Sequence, residues 1–207
     1  MKQFYDVRYA YLSEQKNSKL PEIYIDLDGV LVDLEKGALE TLLDKYPKIK
    51  SWLEVPQEDR WKVINKTKDF WKNLEWMPNS RRLWKMVSKY PSHVLSAYSS
   101  RDDNSKRDKL VWVNKNMREL SRNRINIVKR QDKQKFAVDK GNPNVLIDDH
   151  LKNVDEWKKA GGIGILHKDV STTIQQLKKL GYKSIYNLEN GLIKTVNWYK
   201  NYYLKND

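Results

Sequence analysis

The 207-residue chain contains no cysteine, so neither a disulfide framework nor a thiolate zinc site can hold it together. That composition suits a reducing compartment. It has only three histidines, His93, His150 and His167, and none lies at ligand spacing from another. Long apolar runs are missing too, and the opening Met1-Lys2-Gln3-Phe4-Tyr5-Asp6 lacks the unbroken hydrophobic stretch of a signal peptide. The expectation is a soluble cytoplasmic protein without a membrane partner. Its length suits one compact domain, or a core domain carrying a small inserted unit.

What is abundant is positive charge: forty Lys and Arg stand against twenty-seven Asp and Glu, a net +13. Such an excess favours polyanions as partners without choosing among nucleotides, nucleic acids and anionic surfaces. Residues 101–135 hold twelve basic and five acidic side chains, so the excess is concentrated there. That segment is either a nucleic-acid contact or a solvated helix face that promotes solubility.

Short apolar runs at Ile23–Leu27, Val94–Ala97, Ile125–Val128, Val145–Ile147 and Ile163–Leu166 each precede a polar turn, and most precede a helix-like stretch. This pattern predicts an α/β fold with a central parallel sheet. Ligands collect at the carboxyl ends of such strands. Between the first two runs lies a long helical insertion, 34–91, with Trp52, Trp61, Trp71, Trp76 and Trp84. It is too long for a simple crossover and reads as a helical cap, with Pro47, Pro56 and Pro78 at its helix boundaries. The expected organisation is an N-terminal extension over 1–20, a core over 21–33 and 92–182, and a helical extension over 183–207. Residues 189–199 read as an amphipathic helix within that extension.

The first run delivers Asp26 and Asp28 into the turn opened by Gly29. Alternation along an extended strand points both carboxylates the same way, a costly arrangement unless a cation or a shared proton compensates. A second pair, Asp148 and Asp149, ends the fourth run. Alone it could cap a helix; together the four carboxylates make a hard oxygen site suited to magnesium. Ser96 alone reads as an ordinary strand-end serine, and Lys133 as one lysine in a basic stretch.

Taken in order, Asp26-Leu27-Asp28-Gly29-Val30-Leu31, Ser96, Lys133 and Asp148-Asp149 resemble the four motifs of haloacid dehalogenase (HAD) superfamily phosphatases. The resemblance spans most of residues 23–167 and implies a Rossmann-like HAD core with the cap inserted after the first strand. It implies a phosphomonoester hydrolase that works through an aspartyl-phosphate. Asp26 would be nucleophile and Asp28 acid/base, with Ser96 and Lys133 on the phosphoryl group and Lys135 as the alternative lysine. Magnesium would be held by Asp26, Asp148, Asp149 and the backbone carbonyl of Asp28. Within the superfamily, Asp69-Phe70-Trp71-Lys72-Asn73-Leu74-Glu75-Trp76-Met77-Pro78, Leu110-Val111-Trp112-Val113 and Asp148-Asp149-His150-Leu151-Lys152-Asn153 resemble the 5′(3′)-deoxyribonucleotidases, the cytosolic and mitochondrial 5′-nucleotidases, and their bacterial and phage relatives. The substrate expected on that basis is a nucleoside monophosphate, bound by Gly29, Ala97, Phe70, Trp71 and Trp76. The alternatives are a phosphatase of polynucleotide ends and a nucleic-acid-binding protein built on the same fold. Most cap tryptophans are expected in a helical core. His150 reads as a surface cap or substrate contact, and Asn153 as a group orienting Asp148 or Asp149. A homo-oligomer is compatible with the sequence.

Overall fold

A computed structural model describes residues 20–183 together with 196, 197 and 199. The expected N-terminal extension and the helix over 189–199 therefore lie outside the described residues, apart from those three positions.

All five apolar runs become strands of one parallel sheet: β1 (Ile23–Ile25), β2 (Ser92–Ala97), β3 (Ile125–Val128), β6 (Val145–Asp148) and β7 (Ile163–Leu166). A short antiparallel pair, β4 (Val138–Asp139) and β5 (Asn142–Pro143), forms a hairpin outside it. The sheet order is β3-β2-β1-β6-β7, with β1 central and paired in parallel to both β2 and β6. The chain builds outward from β1 to β3, then returns to the other side of β1. The direction of winding thus reverses between β1 and β6, and crevices for ligands open at the strand carboxyl ends where this happens.

Alternation along the strands sends one set of side chains to each face. Ile23, Ile25, Val94, Ile127, Val145, Ile147 and Ile165 join the larger core. Helices α4 (Ser80–Val87), α5 (Ser105–Asn116) and α7 (Val170–Lys179) contribute Leu83, Val87, Trp112, Val113, Ile174 and Leu177 to it. The opposite face is covered by α6 (Leu151–Lys159) and a 3-10 segment, Arg130–Phe136, where Trp157, Phe136 and Ala137 meet Tyr24, Leu95 and Leu146.

The insertion after β1 contains α1 (Leu34–Leu43), α2 (Gln57–Ile64), α3 (Phe70–Asn73) and α4, with a 3-10 turn at Trp52–Glu54. Asp33 caps α1 by accepting from the Lys36 amide at 3.0 Å, and Ser51 with Glu54 forms a capping box on the 3-10 turn. Pro56 is the N-cap residue of α2, and Pro78 lies just ahead of α4. Trp52, Trp61 and Trp71 meet in succession with ring centroids 6.3 Å apart, which gives this segment an aromatic core. Helix α4 packs against α7, so it belongs to the layer covering the sheet. No helix among the described residues is long and apolar enough to cross a membrane.

Candidate active site

Beyond β1 the chain turns sharply: the amides of Leu31 and Val32 both donate to the Leu27 carbonyl at 2.8 Å, and Gly29 takes φ +72°. Leu31 and Val32 are buried, which anchors the turn and leaves Asp26 and Asp28 at its base. Asp148 and Asp149 reach the same place from β6, across the point where the winding reverses. Oxygens of Asp26, Asp148 and Asp149 lie within 4.8 Å of one another.

Two lysines hold this cluster. The Lys133 ammonium, 2 % exposed, donates to Asp26 Oδ2 and to Asp148 Oδ2 at 2.7 Å each. Lys135, two residues on, is exposed and pairs with Asp132 at 2.7 Å, so it takes no part. Lys109, from α5, is equally buried and reaches Asp28 Oδ2, the Ala97 carbonyl at 2.7 Å and Ser96 Oγ at 3.4 Å. Asp26 Oδ1 accepts from the Leu27 amide at 2.7 Å.

Environment separates the first two carboxyls. Burial alone would raise Asp26, but the Lys133 and Lys109 ammoniums outweigh it, with hydrogen bonds from Lys133 and Ser96, and hold it below its ordinary value. For Asp28 burial prevails over the neighbouring Lys109, and the Asp26 charge adds to it, so its carboxyl is raised. An ionised carboxylate beside one biased toward its protonated form is the division of labour that nucleophile and acid require. Asp148 is raised by burial and by Asp26 against the pull of Lys133. Asp149 is pushed up to about 7 by burial, Asp26 and Asp148. Lys133 is raised, because its two carboxylate partners overcome the effect of burial.

A second layer fixes Asp148. The Asn153 amide donates to both its oxygens at 3.0 and 3.1 Å, and the His150 backbone amide donates at 2.9 Å. Arg130 sets the amide's orientation by donating to Asn153 Oδ1 at 3.2 Å while pairing with Glu156 at 2.8 Å. The contribution of His150 is thus its backbone; its side chain is exposed.

The donor set fits a hard divalent cation. Asp26, Asp148 and Asp149 converge with Lys133 as the ammonium between the first two, and beside them Asp28 Oδ1 is buried without a hydrogen-bond partner. Gly29 completes the cradle, since a Cβ there would fall 2.1 Å from Asp149 Oδ2. Gly29→Ala should therefore do two things. It should cost on the order of 1–2 kcal/mol through the left-handed backbone. By displacing the Asp149 carboxylate it should also weaken binding of a divalent cation at this cluster about 10- to 100-fold. Thermal unfolding and a magnesium titration followed by tryptophan fluorescence measure the two effects separately.

Asp26, Asp28, Ser96, Lys133, Asp148 and Asp149 thus come together, with Gly29 and Ala97 beside them. The three aromatics expected to bind a base do not form an open wall. Phe70 is buried edge-on against Trp71. Trp71 comes nearest the site, but its ring lies between Lys109, 4.8 Å from its centroid, and Trp61. Trp76 packs on Trp112 at 4.9 Å, under Arg81, and donates to Asn116 at 3.1 Å. Asn116 is seven residues beyond Lys109 on α5, about 10 Å along the helix axis, so Trp76 is carried away from the carboxylates. Lys109, Arg130 and Asp102 are the participants that sequence reasoning passed over. The first two were hidden in the basic stretch, and only the heptad-like step from Lys109 to Trp112 and Val113 hinted that this lysine shares the buried face of α5.

No family model matches the chain, and no curated protein matches it. Among solved structures, a hydrolase from Streptococcus pneumoniae TIGR4 superposes with a TM-score of 0.48 at 12% identity, over 78% of this chain and 100% of that one. A hydrolase from Pseudomonas syringae superposes at 0.41 with 16% identity, over 85% of this chain and 97% of that one. Neither value assigns a family or an activity.

Proposed function

We propose that the chain is a magnesium-dependent phosphomonoester hydrolase of the HAD superfamily, acting on a nucleoside monophosphate. The observation that carries the reading is the pairing at the end of β1: Asp26 held ionised by two buried lysines, and Asp28 raised beside it. An Asp26 oxygen attacks phosphorus and the ester P–O bond breaks, while Asp28 gives its proton to the departing oxygen. Asp28 then takes a proton from water, whose oxygen attacks the aspartyl-phosphate. The Asp26 O–P bond breaks, inorganic phosphate leaves, and both carboxyls return to their starting states. Ser96 and Lys133 would bind phosphoryl oxygens. Asp26, Asp148, Asp149 and the Asp28 carbonyl would hold magnesium, which when bound offsets the charge repulsion between an anionic nucleophile and an anionic ester.

The nucleotide part of the proposal is supported by the motif resemblance over residues 69–78, 110–113 and 148–153 and by the net charge of +13. A polynucleotide-end substrate is the second reading, favoured by the exposed Arg101, Lys106, Arg107, Lys115, Arg118 and Arg122. Phosphate release, with magnesium, from mononucleotides, sugar phosphates and oligonucleotides phosphorylated at either end tests both. Mononucleotide turnover with a shallow salt dependence supports the first; oligonucleotide preference with a steep one supports the second. No release from any of them overturns the hydrolase.

Metal binding should be coupled to a proton. Asp149 would ligate as the anion, and burial with Asp26 and Asp148 pushes its carboxyl up to about 7. Magnesium affinity should be level above that pH and fall toward about tenfold per unit below it, one proton being released per ion bound. Calorimetry in buffers of different ionisation enthalpy would measure that proton. A flat profile between pH 5 and 8 would remove Asp149 from the ligand set.

A further inference from the structure

Lys109 helps to hold Asp26 ionised but touches no reacting atom in the mechanism just described, and it is among the most buried charges of the described residues. It projects from α5 on the face that also carries the buried Trp112 and Val113, one turn further along the helix. Its ammonium has three donors and meets three acceptors: Asp28 Oδ2, the Ala97 carbonyl and Ser96 Oγ. The Trp71 ring covers it at 4.8 Å, and that ring is pinned in turn by a 2.6 Å hydrogen bond from its Nε1 to Asp102 Oδ2. Asp102 is itself buried and also accepts from the Asn104 amide at 2.9 Å. The lysine is therefore held in one place from every side.

The consequence falls on Asp28. One of its oxygens, Oδ2, is committed to Lys109, whereas Oδ1 is buried with no hydrogen-bond partner. We infer that Lys109 is a positioning residue for Asp28: by occupying Oδ2 it makes Oδ1 the oxygen that carries the transferred proton, and Trp71 with Asp102 keeps that lysine in place. A free carboxyl could rotate and present either oxygen, and a general acid is effective only when its proton is aimed at the departing atom. This inference rests on the hydrolase reading and adds to it a group that touches neither phosphorus nor the leaving oxygen.

A residue acting chiefly through the acid has a signature that a structural role lacks. Lys109→Met should lower kcat for an alkyl ester such as a nucleoside monophosphate by about 10²–10³, within the range general acids contribute. Nitrophenyl phosphate, whose leaving group needs no proton, should lose less than about tenfold, and Lys109→Arg should recover the alkyl ester preferentially. In an Asp28→Asn background, Lys109→Met should cost no more than the small loss it causes on nitrophenyl phosphate, since the group it positions is already gone and only its charge beside Asp26 remains to be lost. That double variant also guards against misfolding, because removing both members of a buried pair is milder than stranding one charge. Equal losses on the two esters, or an undiminished loss of the alkyl ester on the Asp28→Asn background, would overturn the inference while leaving the hydrolase intact. A wild-type protein that releases phosphate from neither ester would overturn both.

Discussion

Asp26→Asn should abolish phosphate release, by at least about four orders of magnitude, while the protein stays folded. The amide keeps the shape of the carboxylate but cannot form the phosphoenzyme, and no other group is placed to take over: Asp28 is raised by burial, and Asp148 already accepts from Lys133, Asn153 and His150. The fold should survive because Lys133 keeps Asp148 as a partner and the β1 ladder is a backbone structure. A second effect follows from the electrostatics. After burial, the Asp26 charge is the largest cause of the raised carboxyl of Asp149, so removing it should bring that group down from about 7 toward the ordinary carboxylate range. Carbon-detected titration of the metal-free variant would follow it. Retained turnover in pure protein would exclude Asp26 as nucleophile; an unmoved Asp149 would mean that the two carboxylates do not sense one another.

The sheet was legible because its signal is local and repeated. Each strand is a short apolar run bounded by turn residues, and all five runs pair in parallel as that pattern requires. The acidic pairs were legible for a related reason: Asp26, Asp28, Asp148 and Asp149 sit within a few residues of strands whose ends the fold must bring together. Lys109 is different. It lies on a helix, eighty-one residues from the carboxylate it meets, among many lysines, and beyond its three- and four-residue spacing to Trp112 and Val113 only tertiary packing distinguishes it from Lys106 or Lys115. The aromatics expected to bind a base were ambiguous in the opposite sense. Their spacing fitted both a helical core and an open binding wall, and the decision between them depended on partners far along the chain: Asp102 for Trp71, Asn116 for Trp76. Composition identifies a ring that must be buried somewhere; it does not say which face remains for a ligand.

Lys133→Ala should be the most destabilising single change in the site. Lys133 bridges Asp26 and Asp148, and its loss leaves those carboxylates facing one another in a buried site with no cation between them. Stranding buried charge in this way costs about 3–5 kcal/mol, against which little is regained because alanine fills none of the space. For a domain of this size that corresponds to a fall in Tm of roughly 6–20 °C. The penalty should depend on pH with a defined sign. Without Lys133 both carboxyls stand above their unfolded values, so protons bind the folded variant more tightly, and stability is lost as pH rises from the ordinary carboxyl range toward neutrality. The variant should therefore approach the wild type near pH 4 and diverge from it at pH 7, where the wild-type lysine is fully charged. Magnesium at pH 7 should restore part of the difference by supplying the missing positive charge between the same oxygens. Turnover should stay low even then, because the ion cannot replace the ammonium that holds Asp26 and, in the proposed reaction, would meet the phosphoryl group. Melting curves across pH 4–8 with and without magnesium would test this. A pH-independent loss would show that Lys133 contributes through packing of its stem, with the charge between Asp26 and Asp148 counting for little.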